Sequence, residues 1–472
     1  MTAPTSREPS FAALLAYALP ALPLAVLTLP LYVVVPQYYS AGLGVSLAAV
    51  GYALLAVRIL DAFSDPLVGF VADRTKPRWG RRKTWFVAAV PATAISAVFV
   101  FMPGDAGSAL YLFAWGTALS IAWTCCLVPY NAWGAELSSS YVGRNRVAAF
   151  RETVVVIGTL LAIVSTALIP LMGFGGDREI LTLFALIVAI GLPAAALVTG
   201  IFVPEPVDHS TRQVPFREGL GFMFGNRPFM RLVSAFFLNG LANGLPATLF
   251  MFYAGEKLAA PDWRGPLLLL YFVVGVLGVP LWLYLAPRYG KHRTWCWAMI
   301  LACAAFAFGP FLGPGDVAIF AAICVATGLA LGADLVLPAS LQADVIDVDT
   351  ARSGEQRSGL YLAVWGLATK LALALAVGIA FPLLAATGFD PAAGLREPGG
   401  FAMLGFLYAG LPVILKLAAI GLMWRFPLDE AEQAQLRSQI ETARASARPD
   451  QLSPAASDAG SRSSGPSSRA AM

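Results

Sequence analysis

Twelve apolar runs, each near the length that crosses a lipid bilayer, limit what this 472-residue chain can become. A helix needs about 20 apolar residues to span the hydrocarbon core. Runs of that order lie at 11–36, 46–72, 84–103, 108–134, 153–174 and 179–203. A polar stretch from Pro204 to Pro228 follows, then six more runs at 229–255, 265–287, 294–313, 316–340, 359–387 and 400–426. In lipid every backbone polar group must find an internal partner, so runs of this length become helices. The expected fold is all-α, with twelve transmembrane helices in two pseudo-symmetric six-helix bundles. Its divisions are a cytoplasmic N-terminus at 1–10, one bundle at 11–203, a central cytoplasmic loop at 204–228, a second bundle at 229–426, and a polar, largely disordered cytoplasmic tail at 427–472. The first run is too long for a signal peptide and is expected to stay as a helix.

The charges support this reading. Only 13% of residues are charged, about half the usual share of a soluble domain. That shortage, with a mean hydropathy of +0.70, excludes nearly every soluble enzyme fold. Net charge is +4, too little to argue for nucleic acid. Eighteen Lys and Arg, from Arg74 to Arg357, fall in loops 2–3, 4–5, 6–7, 8–9 and 10–11; the opposite loops hold Arg178, Lys257, Arg264 and Arg396. Cytoplasmic loops collect Lys and Arg, so both termini should be cytoplasmic, in a bacterial inner membrane. Five cysteines lie inside apolar runs without metal-ligand spacing, and His209 and His292 lie in separate loops. No GxSxG, HExxH or phosphate-cradling loop is present, so neither an enzyme nor a cofactor is expected.

A repeat divides the chain in two. "DPLVGFVADRTKPRWGRRKTWF" leaves run 2, and "VPLWLYLAPRYGKHRTWCW" leaves run 8. Both carry Pro, a short apolar stretch, a break, then Gly and basic residues before Thr-Trp. Two parallel six-helix halves around a central pathway fit this pattern.

Charged residues inside the membrane are costly, so each has a partner or a task. Run 2 carries Arg58, Asp61, Ser64, Asp65 and Pro66. Spacings of three and four put Arg58, Asp61 and Asp65 on one helical face. Two carboxylates one turn apart need a cation, a proton or a basic partner, and Pro66 leaves the Ala62 carbonyl without its usual donor. Hard oxygens at this density suit Na⁺ or H⁺ better than a transition metal; a structural ion pair of Arg58 with one Asp is the alternative. Lys370, in the middle of run 11, is expected to face inward and pair with a carboxylate. Asn239 and Asn243 in run 7, and Tyr130 and Asn131 ending run 4, are candidate cavity residues, with Trp365 in run 11. Asp334 and Lys416 are weaker candidates. Asp344, Asp347, Asp349, Arg352 and Arg357 form a band expected to latch the two halves on the cytoplasmic side.

"RILDAFSDPLVGFVADRTKPRWGRRKTWF", "VPYNAWGAEL…R…R…FRETVVVIG" and "ADVIDVDTARSGEQRSGLYLAVWGLATK" together resemble the glycoside–pentoside–hexuronide:cation symporters. These are the melibiose-permease-like branch of the major facilitator superfamily. The resemblance covers about residues 15 to 425 and implies the major facilitator fold. It implies that Asp61 and Asp65 are the cation-binding acids, with Ser64 and Thr124 completing the site. It also implies that Arg151 and Lys370 link the solute and cation sites. The galactoside-binding members of the family hold sugar hydroxyls with one acid in run 1 and another in run 4; Ala25 and Leu127 stand there in this chain. Asn131 takes the place of a stacking Trp.

The function expected is secondary transport: symport of a small organic solute with Na⁺ or H⁺, as a monomer among membrane lipids. The solute is a sugar or glycoside other than a galactoside, or, as one alternative, an amphipathic or lipid-like molecule. A membrane sensor or scaffold that lost transport is the other alternative. In the expected mechanism Lys370 and Arg151 pair with the acids when the cation is absent.

Overall fold

The computed structural model describes residues 9–75, 80–138, 141–171, 176–205, 225–353 and 358–427. Lys76, Arg78, Arg212, Arg217, Arg357 and the tail from 428 lie outside them, as do the side chains of Asp347, Asp349 and Arg352. Among the described residues twelve helices are long and apolar enough to cross a membrane. The first half holds α1 (Phe11–Gly42), α2 (Leu47–Arg74), α3 (Arg81–Phe101), α4 (Ala109–Glu136), α5 (Tyr141–Leu171) and α6 (Asp177–Phe202). The second holds α7 (Arg227–Lys257), α8 (Arg264–Tyr289), α9 (Lys291–Phe306), α10 (Val317–Ser353), α11 (Ser358–Ala386) and α12 (Pro398–Met423).

Two helices outrun their apolar runs. α5 starts at Tyr141, well before residue 153, and α10 continues to Ser353, past residue 340. The added turns are polar and rich in good helix formers. A helix needs apolar side chains only where it meets lipid, so hydropathy marks the membrane and not the helix end. α1 departs from regularity in the other direction. Its prolines remove backbone donors, and the helix answers with a break after Ala18 and π-turns at Pro30–Val34 and Tyr38–Gly42.

The internal repeat is visible in the backbone. Gly80 and Gly290 precede α3 and α9 with φ of 101° and 83°, a region that favours glycine. Just beyond each, a basic side chain reaches an acid near the end of the next helix: Arg82 meets Glu136 at 2.6 Å, and Lys291 meets Asp344 at 2.6 Å. Asp344 thus pairs with α9 of its own half; the rest of the band expected to latch the halves lies outside the described side chains.

The halves touch at the ends of the helices away from the basic loops. A Cβ on Gly265 of α8 would lie 2.5 Å from the Thr166 carbonyl oxygen of α5, and one on Gly51 of α2 would lie 2.8 Å from Phe381 of α11. Small residues allow such close helix approach in membranes. A short hairpin, β1 (Phe389–Asp390) with β2 (Leu395–Arg396), joins α11 to α12. From it the Asp390 carboxylate accepts the backbone N–H of Leu47 at 3.2 Å, capping α2 from the other half. Ser46, the local cap residue of α2, makes no side-chain bond there.

Candidate cation and solute site

The helical spacing of α2 places Asp61 and Asp65 one turn apart, facing α4 and α11. Asp61 is 4% exposed. From α4, Ser120 donates to Asp61 Oδ1 at 2.5 Å, and Thr124 donates to Asp65 Oδ1 at 2.7 Å and approaches Asp61 Oδ1 at 3.3 Å. From α11, the Lys370 ammonium sits 2.6 Å from Asp65 Oδ2 and 2.9 Å from Asp61 Oδ2. Arg58 lies 3.6 Å from Asp61 Oδ2, with its guanidinium 4.2 Å from the ring centre of Tyr32 on α1. Two carboxylates therefore face two buried or half-buried cations, and the charges balance.

This arrangement brings together Arg58, Asp61, Asp65, Thr124 and Lys370. It leaves Ser64 out, because its hydroxyl donates to the Asp61 carbonyl of its own helix at 2.9 Å. Ser120, one turn before Thr124 on the same face of α4, stands in the place given to Ser64. The i, i+4 spacing of Ser120 and Thr124 was the available signal. Arg151 is also elsewhere: it donates to Asn131 Oδ1 at 2.6 Å and pairs with Glu152, and forms no ion pair with either acid. Carboxylate and hydroxyl oxygens converging in this way form a hard-ligand set suited to Na⁺, and the acids alone are suited to a proton.

Arg151, Glu152, Asn131 and Trp123 line a cavity of about 220 Å³ in the first half. Ala25 and Leu127 line it too, so the two positions without carboxylates face the same space as Arg151. The buried Trp123 Nε1 has no hydrogen-bond partner among the described residues. Tyr130 also borders the cavity, but its hydroxyl is taken by the Tyr17 carbonyl at 2.6 Å, and the two rings stack at 4.7 Å. Trp365 stacks on Phe236 with ring centres 3.7 Å apart.

Asn239 and Asn243 belong to a separate cluster in the second half. Their amide nitrogens donate to the two oxygens of Asp334 on α10, at 2.9 and 2.8 Å. Their amide oxygens accept from Lys416 on α12, at 2.7 and 2.8 Å. Trp295 of α9 adds a bond to Asp334 Oδ1 at 2.6 Å.

A family profile described as "MFS/sugar transport protein" matches residues 16–430. The sodium-dependent lysophosphatidylcholine symporter 1 of Xenopus tropicalis is 25% identical over 84% of this chain and 83% of its own length. The inner membrane symporter YicJ of Escherichia coli is 25% identical over 80% of this chain and 84% of its own. The fold matches solved structures of the nucleoside transporter NupG (TM-score 0.62, 16% identity, 88% and 99% coverage) and of a D-xylose–proton symporter (TM-score 0.58, 16% identity, 89% and 97%). With a profile match spanning nearly the whole helical region, the chain belongs to the MFS/sugar transport family and is a cation-coupled symporter of the major facilitator type.

Proposed function

We propose that Asp61, Asp65, Ser120 and Thr124 bind the coupling cation, Na⁺ or H⁺, and that Lys370 competes with it. The observation that carries this reading is the placement of Lys370: a cation supplied by one half sits between two acids of the other. An arriving cation displaces the ammonium and, with Arg58, keeps the two acids neutralised; α11 is released from α2, and with solute bound in the first-half cavity the halves rock. Contacts between the halves at the end away from the basic loops correspond to a closed outer side. Both termini are then cytoplasmic in a bacterial inner membrane, and the protein works as a monomer.

The solute cavity favours an amphipathic molecule. It offers one cation, one anion, an aromatic N–H and several apolar side chains, among them Ala25 and Leu127. A sugar there would lack the charge-assisted hydrogen bonds that acids in the places of Ala25 and Leu127 would supply, worth about 1.5–3 kcal/mol each. A zwitterionic head group beside a short apolar chain matches these groups, and the Xenopus tropicalis relative is named as a lysophosphatidylcholine symporter. A neutral sugar other than a galactoside is the second reading, supported by the family description.

The test uses purified protein in proteoliposomes. Solutes are first ranked by thermal shift with and without Na⁺, then assayed for uptake driven by Na⁺ or proton gradients. Concentrative uptake of the ranked solute is expected in wild type and lost in Asp61→Asn and Asp65→Asn. Full gradient-driven uptake in both variants overturns the proposal.

A further inference from the structure

A second cavity, of about 70 Å³, lies inside the second half, and no residue of α2 lines it. Asn243, Asp334 and Lys416 form its polar end, Tyr271 and Tyr408 stand on its walls, and Val33 of α1 borders it from the other half. A buried water occupies roughly 10–15 Å³ by the same measure, so the space takes about five waters or a three- to four-carbon polyol.

The charge of the lining selects the occupant. Lys416 is 2% exposed and Asp334 is its counter-charge; together they cancel. An occupant with net charge would leave a buried charge uncompensated, so the space suits a neutral one. The lining also has unused hydrogen-bonding capacity. Two N–H groups of Lys416 are taken by Asn239 and Asn243. Asp334 Oδ2 is 3.9 Å away, beyond hydrogen-bond reach, so among the described residues the third has no acceptor. The hydroxyls of Tyr271 and Tyr408 have no hydrogen-bond partner among the described residues. One ammonium donor and two phenols that donate and accept match a group bearing vicinal hydroxyls.

We propose that this cavity is a second binding site, for a neutral hydroxyl-bearing group, and that Val33 covers it in the present conformation. The assignment of that group to the transported solute rests on the transport reading above; the site itself does not. Rocking of the halves moves Val33 off the cavity and joins it to the central pathway. Its occupant is therefore exchanged once per cycle.

The experiment is saturation-transfer NMR on the full chain in nanodiscs, with meso-erythritol as the neutral probe and erythronate as its anionic counterpart. Erythritol should receive saturation from wild type and from Val33→Ala, and erythronate from neither. Tyr408→Phe, which removes one hydroxyl, should reduce the erythritol signal about two- to tenfold, the worth of one neutral hydrogen bond, and Ala330→Phe, which fills the cavity, should abolish it. Thermal melting of each variant checks that it is folded. No erythritol signal in wild type and Val33→Ala, or an undiminished signal in both Tyr408→Phe and Ala330→Phe, overturns the proposal. No gradient or transported solute enters this measurement, so it can fail while the uptake assay succeeds, and the reverse.

Discussion

Each half of the molecule contains a buried acid–lysine cluster, and the two differ in where the lysine comes from. Lys370 reaches Asp61 and Asp65 from the opposite half. Lys416 reaches Asp334 through Asn239 and Asn243, all within one bundle. An ion pair across a boundary that moves is made and broken in each cycle. One held inside a rigid body is not, and its polar groups can serve only to fix that body or to hold something within it. The chemistry is similar; the topology assigns the roles.

The largest expected effect sits at the boundary. Breaking a buried charge pair from one side costs about 2–5 kcal/mol, so Asp61→Asn should lower gradient-driven uptake on the order of 10²-fold while expression is retained. Uptake by this variant within a few-fold of wild type would erase the distinction between the clusters. Next comes the internal pair. Lys416→Met leaves Asp334 without its counter-charge and should destabilise the fold by about 3 kcal/mol or more, seen as a lower melting temperature. Adding Asp334→Asn should recover most of that loss, and the cation dependence of transport should not change in either variant. A smaller effect separates two serines. Ser120→Ala should weaken cation affinity by a factor of about 10–100, the worth of one hydrogen bond to a charge, whereas Ser64→Ala should leave it unchanged; titration calorimetry with Na⁺ distinguishes them. The smallest is at the outer side. Asp390→Asn removes a negative charge from the start of α2, worth about 0.3–1 kcal/mol. It should raise the outward-open fraction no more than about five-fold, read from spin-label distances between the halves.

The membrane fold was legible because lipid imposes one rule, and a run of apolar residues answers it. What escaped followed another rule. The polar starts of α5 and the end of α10 lie beyond the lipid, where hydropathy carries no signal. The hairpin at Phe389–Asp390 is too short to leave a pattern. Within the site, Asp61, Asp65 and Lys370 stood out because a charge in lipid is rare. Ser120 did not, because a hydroxyl costs little in a helix. Whether Ser64 or Ser120 faces the acids depends on how α2 and α4 are rotated against each other, which one chain's spacing does not contain. The same limit hid the second cluster: Asn239, Asn243, Asp334 and Lys416 were visible singly, but nearly 180 positions separate Asn239 from the lysine it binds.

The cap on α2 has a consequence of its own. Two side chains stand at its first turn, the Asp390 carboxylate across the hairpin, which holds the Leu47 amide, and the idle Ser46 hydroxyl beside it. When the outer side parts, Asp390 leaves, and Ser46 cannot take its place, because a serine at that position reaches only the amides two or three residues on. The Leu47 amide is therefore bonded in one arrangement and open to water in the other. Deuterium uptake at that single amide would then act as a built-in clock of how often the outer door swings, legible without a label and before any solute has been identified.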